Sequence, residues 1–187
     1  SSGAGRTTDQ EGTGRHPVSL SRSRLLLFRV DDRLLHGQVT LGWGSWLHPD
    51  RYLLVDDALA RDPVGSELYQ AACPEDAELT IAGIEEALEC LRSIESERMV
   101  LVVRSLETAA FLLRSGVPGP VNLGGLHARP GAHERRPHLF LTEEDERLLR
   151  ALRAEGHACF AQELPGDRKR ALAEFLPGDA GPAGSDR

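Results

Sequence analysis

The sequence predicts an α/β fold, a single domain built on an open, mostly parallel twisted sheet of about six to seven strands with helices on both faces. Three observations carry that reading. Short apolar runs alternate with amphipathic stretches whose apolar positions recur at helical spacing. The run Met99–Val103 is apolar throughout, as suits a central strand covered on both sides. Capping residues and glycines fall at the junctions between the two kinds of stretch, and such a rhythm implies right-handed crossovers.

Taken in order, Leu25–Phe28 reads as the first strand and breaks into the charged loop Asp31-Asp32-Arg33. After Gln38 the pattern turns helical, with Val39, Leu41, Trp43, Trp46 and Leu47 as candidate buried positions. Tyr52–Val55 is a second strand, and Pro63 opens a helix to Ala72 with Asp62 as its cap. Leu79–Ile81 is a third strand, and Ile84–Ile94 a helix with Ile84, Ala87, Leu88 and Leu91 on one face. Met99–Val103 follows, then a helix capped by Ser105, running through Arg114 and ended by Gly116.

Val117–Leu123 gives a fifth strand and Gly124-Gly125 a turn. Residues 128–136 form an irregular excursion or hairpin before the short strand Leu139–Leu141. Thr142, with Asp145 three residues on, makes an acidic variant of a capping box for a helix to Glu155. Ala158–Leu164 is a last strand and Arg168–Phe175 a closing helix. The domain spans residues 24–176. Residues 1–23 and 177–187, rich in Gly, Ser and other small or polar residues, bury too little to offset their ordering entropy and are expected to be disordered tails.

With 187 residues the chain can bury a proper core, and its net charge of −7 argues against an electrostatic grip on nucleic acid. Three scattered cysteines suit buried thiols in a reducing cytoplasm better than a disulfide framework or a zinc knuckle. No apolar run approaches the ~18–20 residues of a membrane span. Residues 1–22 carry no secretory apolar core.

The loop after the first strand gathers two carboxylates, a guanidinium and an imidazole at the carboxyl end of a strand, where open α/β sheets place ligand crevices. Imidazole is nucleophilic at neutral pH, so His36 can accept a group on one ring nitrogen while a hydrogen bond fixes the other. Arg33 offers a planar fork matched to phosphate oxygens. A helix starting near Gly37 or Gln38 adds backbone N–H donors, and Gly37 lacks a side chain that would block an anion. Asp31 and Asp32 would repel a phosphate, so orienting roles suit them. The plainer alternative makes Asp31 or Asp32 a helix cap, Arg33 a surface ion pair and His36 an ordinary polar residue.

Other candidates carry less. Gly124 and Gly125 could set backbone N–H groups beside a phosphate, or serve a tight turn. The Walker and Rossmann glycine patterns are absent. His127, His133 and His138, with Arg129, Arg135 and Arg136 interleaved, match no metal-ligand spacing and suit an anion-friendly surface or a partner-docking loop.

The run RVDDRLLHGQV, Arg29 to Val39, resembles the active-site signature of the mannose/fructose/sorbose-type IIB component of the bacterial sugar phosphotransferase system. The similarity continues through VDDALARDP, ELYQAACP and VNLGGL, and covers about Leu25 to Leu176. In that family the histidine of the run is transiently phosphorylated. The resemblance therefore implies His36, Arg33 and Asp31 as catalytic residues, with Asp32, Gly37, Gln38, Gly124 and Gly125 in the phosphate-binding loops. It implies a phosphocarrier that takes a phosphoryl group from a IIA phosphohistidine, on a single ring nitrogen, Nδ1, and passes it to a sugar bound by a membrane IIC/IID permease. Such a protein is cytoplasmic, peripheral to the inner membrane when docked, needs no metal or organic cofactor, and leaves room for a homo-oligomer. One departure stands out: mannose-transporting relatives carry a second assisting arginine where this chain has Gly65, with Arg61 the nearest substitute. That departure motivates the alternative of a phosphorylatable regulator not coupled to transport.

Overall fold

Each strand of the core is a short β-branched or leucine-rich run, and the parallel pairing of these runs builds the molecule. The computed structural model describes residues 24–94 and 96–176, so the two expected tails lie outside the described residues. Strands β1 (Leu25–Asp31), β2 (Arg51–Val55), β3 (Glu78–Ala82), β4 (Met99–Val103), β5 (Val121–Gly125), β8 (Cys159–Ala161) and β9 (Arg170–Ala171) form one sheet in the order β3-β2-β4-β1-β5-β8-β9. All its pairs are parallel except β8 with β9. Strands β6 (His133–Arg136) and β7 (Leu139–Leu141) form a separate antiparallel hairpin.

The alternation of side chains along β1 sorts the core into two layers. Phe28 and Val30 face a larger cluster closed by α4 (Ile84–Ser93), α5 (Leu106–Arg114) and α6 (Glu143–Ala154). Leu27 faces a smaller one with Trp43, Tyr52 and Leu54, closed by α2 (Asp57–Ala60) and α3 (Pro63–Ala72). On that same side of β1 lie Arg29 and Asp31, both without solvent exposure. β4 is interior and wholly buried, as its continuous apolar run requires.

Several junctions form as expected. The Ser105 hydroxyl caps α5 by accepting from the Thr108 amide at 3.2 Å, and Gly116 leaves the helix at φ 96°. Asp145 accepts from the Thr142 amide (2.7 Å) while the Thr142 hydroxyl accepts from the Asp145 amide (3.1 Å), completing the capping box of α6.

Other expectations are corrected. The segment after Gln38 is a π-helix, Gln38–Gly44, ending in one α-turn, α1 (Ser45–Leu47). Its wider turn buries Val39 and Trp43 but leaves Leu41 76% and Trp46 65% exposed. Asp62 precedes α3 without a side-chain cap, whereas Asp56, not predicted as one, caps the extra helix α2 through the Leu59 amide at 2.6 Å. The fifth strand begins at Val121 and carries Gly124-Gly125 as its end rather than as a turn. The last strand expected over 158–164 stops at Ala161, because the chain turns away at Gln162 to contact the site. The expected closing helix is instead β9 followed by a 3-10 turn, Leu172–Glu174. Cys159 is buried, but Cys73 and Cys90 are only half-buried.

The capping box gives a test: Thr142→Ala should lower stability by about 1 kcal/mol in urea denaturation, with the native fold retained.

Candidate functional site

The site grows from a charged residue placed inside an apolar strand. Arg29 lies in the buried middle of β1, where a lone guanidinium would be costly, so its donors are all spent locally. Nη1 donates to Asn122 Oδ1 (2.7 Å) and to the carbonyls of Gln162 and Glu163 (3.2 Å each). Nε and Nη2 donate to Asp31 Oδ2 at 3.2 and 2.9 Å. Asn122 stands opposite Arg29 in the β1–β5 register, and its own Nδ2 donates to the Gln162 carbonyl (3.0 Å).

The register of β5 then slips between Val30 and Asp31, so that Asp31 pairs with Gly125 and Gly124 is left as the extra residue. A Cβ at Gly124 would coincide with the Arg29 guanidinium, and one at Gly125 would crowd the Asp31 carboxylate at 3.2 Å. The two glycines therefore make room for the ion pair beneath the loop. Neither forms the tight turn that the sequence suggested.

Asp31 is the hub. Oδ2 also takes the His36 ring at Nε2 (2.9 Å), and Oδ1 accepts from the Arg33 amide (3.2 Å) and Nε (3.3 Å). Burial by itself would raise this carboxyl. It is outweighed by the hydrogen bond from His36 and the charges of Arg29, His36 and Arg33, which hold the carboxyl at about 2. Burial pulls the Arg29 pKa down, and Asp31 opposes that pull.

The loop between strand and π-helix presents the imidazole. Leu34 is fully buried with φ 55°, a left-handed conformation uncommon for leucine, and its amide donates to the Asp31 carbonyl at 3.0 Å. That reversal drives Leu34 into the smaller core layer and brings His36 back over Asp31. From α3 the Tyr69 hydroxyl donates to the Arg33 carbonyl (3.1 Å), fixing the loop from the other side. The His36 side chain remains 18% exposed and that of Arg33 39%. Gly37 is exposed, and a Cβ there would meet nothing within 4 Å. Gln38 accepts from Arg33 Nη2 (2.7 Å) and donates to Glu163 Oε1 (2.5 Å).

Asp31, Arg33, His36 and Gln38 thus come together, while Asp32 departs from the expected orienting role. Its carboxylate accepts from the His127 amide (2.7 Å) and meets the His127 ring at 2.6 Å. Arg104, at the end of β4, donates to the Asp32 carbonyl (2.9 Å) and to Asp56 Oδ2 (2.7 Å), tying β2 to the loop. Arg61 lines a cleft with Asp57, Glu85, Glu86 and Glu107. Two of the interleaved arginines are taken up structurally: Arg129 pairs with Asp145, and Arg135 donates to Glu146 at 2.6 Å. They tie the hairpin and the segment before it to α6, a structural use beside the anion-friendly surface or partner-docking loop that the sequence suggested.

Sequence reasoning passed over Arg29, Asn122, Glu163 and Arg104. A charge in LLLFRV and an amide in VNL, each inside an apolar strand, were the available signals for the first two. Glu163 had none, since it is 125 residues from its partner Gln38.

Comparison with known proteins agrees with this architecture. The family model described as the sorbose subfamily IIB component of the PTS system matches residues 25–181. The chain belongs to that family, whose members are components of sugar phosphotransferase systems. It is 25% identical over 158 residues to the N-acetylgalactosamine-specific phosphotransferase enzyme IIB component 1 of Escherichia coli, covering 83% of this chain and 100% of that one. It is 26% identical over 132 residues to the sorbose-specific EIIB component of Klebsiella pneumoniae, covering 69% and 80%. The IIBSor domain of the sorbose permease from Klebsiella pneumoniae superposes with a TM-score of 0.77 at 24% identity, over 82% of this chain and 96% of that one. The crystal structure of the Escherichia coli N-acetylgalactosamine-specific IIB component 1 superposes with 0.74 at 26%, over 79% and 99%. Among the described residues no helix is long and apolar enough to cross a membrane.

Two outcomes follow from the buried hub. Asp31→Asn should cost about 3–5 kcal/mol at neutral pH, because it strands the Arg29 charge. The wild-type carboxyl titrates at about 2 against an ordinary 3.8, so its stabilising charge is fully present above about pH 4 and lost as pH falls toward 2. The gap between wild type and Asp31→Asn should therefore narrow by roughly 2 kcal/mol over that window in urea denaturation. Gly124→Ala should cost at least about 1–3 kcal/mol by displacing the same guanidinium.

Proposed function

We propose that this IIB component carries the phosphoryl group on Nδ1 of His36, receiving it from the phosphohistidine of a IIA partner and giving it to a sugar held by a membrane IIC/IID permease. The observation that carries this reading is the 2.9 Å contact between His36 Nε2 and Asp31 Oδ2. A carboxylate held ionised to about pH 2 keeps the ring proton on Nε2 and leaves the Nδ1 lone pair as the nucleophile.

Transfer then proceeds without a general base for the attacking ring. The Nδ1 lone pair forms the new P–N bond as the bond to the IIA imidazole breaks, and that leaving ring keeps its electron pair. The His36 ring becomes cationic, and Asp31 stands ready to meet the charge. Arg33, two-fifths exposed and braced by Asp31 and Gln38, supplies donors for the phosphoryl oxygens. In the second step a sugar hydroxyl attacks phosphorus, its proton passes to a base on the permease side, and His36 leaves as neutral imidazole. The protein contributes positioning and charge compensation, as is usual for phosphoryl transfer. The Escherichia coli mannose-specific EIIAB component, 47% of which matches this chain at 25% identity, joins IIA and IIB by name and supports a IIA donor.

The test uses labelled phosphate. Incubation with a phosphorylated IIA should leave an acid-labile, base-stable label on the wild-type chain and none on His36→Ala. Arg33→Ala should slow the labelling by about 10–100-fold, the loss of one charge-assisted contact. Membranes containing the cognate permease should pass the label to sugar; label that reaches the protein but never sugar would instead support the regulator.

A further inference from the structure

Three side-chain polar atoms among the described residues are buried without a protein partner: Arg136 Nε, His138 Nε2 and Gln162 Oε1. Folded proteins leave few such atoms, because an unpaired buried donor or acceptor forfeits its hydration. Here all three belong to residues lining one cavity of about 260 Å³, between the β6–β7 hairpin and the β8–β9 edge of the sheet. Scattered through the protein, they would point nowhere in particular. Gathered in the wall of one cavity, they form a single set of unmet donors and acceptors.

The orientation of Gln162 is determined by its surroundings. Its Nε2 donates to the carbonyls of Pro165 (3.1 Å) and Asp167 (2.8 Å), so the oxygen is the atom left over, on a residue only 4% exposed. Arg168 and Arg170 also line the cavity, each donating to Glu174 Oε2, at 3.2 and 3.1 Å. Glu163 and Asp167 are the carboxylates of the lining, and Asp167 is engaged by the Leu164 amide at 2.8 Å. Arg168 and Arg170 are thus paired with Glu174, and Arg136 is the guanidinium of the lining that keeps an unpartnered nitrogen.

The donor set selects a chemical class. The Arg136 guanidinium is a permanent cationic donor, Gln162 Oε1 accepts only, and the imidazole nitrogen can do either. A neutral sugar would satisfy Gln162 and leave the Arg136 cation without a counter-charge. A fully ionised small anion would do the reverse. A molecule with both hydroxyls and a charged group satisfies the whole set, and the volume, below the ~300–1,000 Å³ of sites for drug-sized ligands, suits a small metabolite.

We propose that this cavity binds a sugar monophosphate, at a site separate from His36 and connected to it through Glu163. The Glu163 carboxylate belongs to both places. Oε2 lies 3.4 Å from His138 Nδ1 in the cavity, and Oε1 takes the Gln38 amide, whose oxygen in turn accepts from Arg33. A ligand that engages His138 changes the partners of Glu163 and, through Gln38, the bracing of Arg33. Coupling of this kind is reciprocal, so the phosphorylation state of the loop changes the affinity of the cavity in turn.

The experiment is a titration of the ¹⁵N-labelled full-length chain with glucose 6-phosphate, with glucose and inorganic phosphate run alongside, followed by NMR. The expected result is saturable perturbation of residues 136–138, 161–163 and 168–170 at millimolar concentrations. It should be preserved in His36→Ala, weakened about tenfold or more by Arg136→Leu, and weakened similarly by the rim double variant Arg168→Ala/Arg170→Ala. The Gln38 side-chain amide should move along the same curve. Equal affinity for glucose or for inorganic phosphate would overturn the ligand class. Perturbation centred on residues 31–38 and lost in His36→Ala would assign the binding to the phosphoryl site instead. An unmoved Gln38 amide would overturn the connection through Glu163, and the absence of saturable perturbation would leave the cavity a hydrated crevice and overturn the site.

Discussion

Arg29, Arg33 and His36 all place donors on the two oxygens of Asp31, a carboxylate with no solvent exposure at the end of the central strand β1. Each partner alone would be a poor arrangement. Arg29 without the carboxylate is a buried cation, and Asp31 without the arginines is a buried anion whose pKa would climb. Joined, they anchor an imidazole so that one face of it is committed and the other is open. The stability of this end of the sheet and the proposed reactivity of the ring therefore rest on the same few hydrogen bonds.

That arrangement depends on backbone features well away from the loop. The register slip of β5 opens the space that Arg29 fills, and two glycines keep it open. The chain after β8 turns back so that the carbonyls of Gln162 and Glu163 can cap the guanidinium, while the Glu163 carbonyl also takes the Trp43 indole N–H at 2.9 Å. Sheet, π-helix and the turn before β9 thus converge on one ion pair. The proposed carrier chemistry, positioning and charge compensation, favours such an arrangement, because transfer between two partner proteins depends on well-oriented encounters.

The family membership and the geometry bear on different questions. The match over residues 25–181 says which system the chain serves. The contacts around Asp31 support the proposal that His36, of the seven histidines in the sequence, carries the phosphoryl group on Nδ1. The departure at Gly65 reads differently once seen in three dimensions. Arg61, the nearest substitute in sequence, faces an acidic cleft, whereas Arg104 reaches the loop backbone from β4.

Much of this was written locally. Periodicity placed nearly every strand, the apolar run Met99–Val103 identified an interior one, and the spacing of Asp31, Arg33 and His36 marked the loop, because such signals reside within a dozen neighbouring residues. What the chain read in isolation could not supply were pairings across long separations. The register slip that makes Gly124 a cradle depends on β1 meeting β5, and Glu163 meets Gln38 only after the whole sheet has assembled. The missed ends lie at one edge of the sheet: the strand expected over 158–164 gives way at Gln162 and Glu163 to hydrogen bonds with Arg29, Trp43 and Gln38, and the helix expected over 168–175 gives way to the pairing of Arg170 and Ala171 with β8. Local propensity decided which elements exist, and the burial of one charged pair decided how they close around the site.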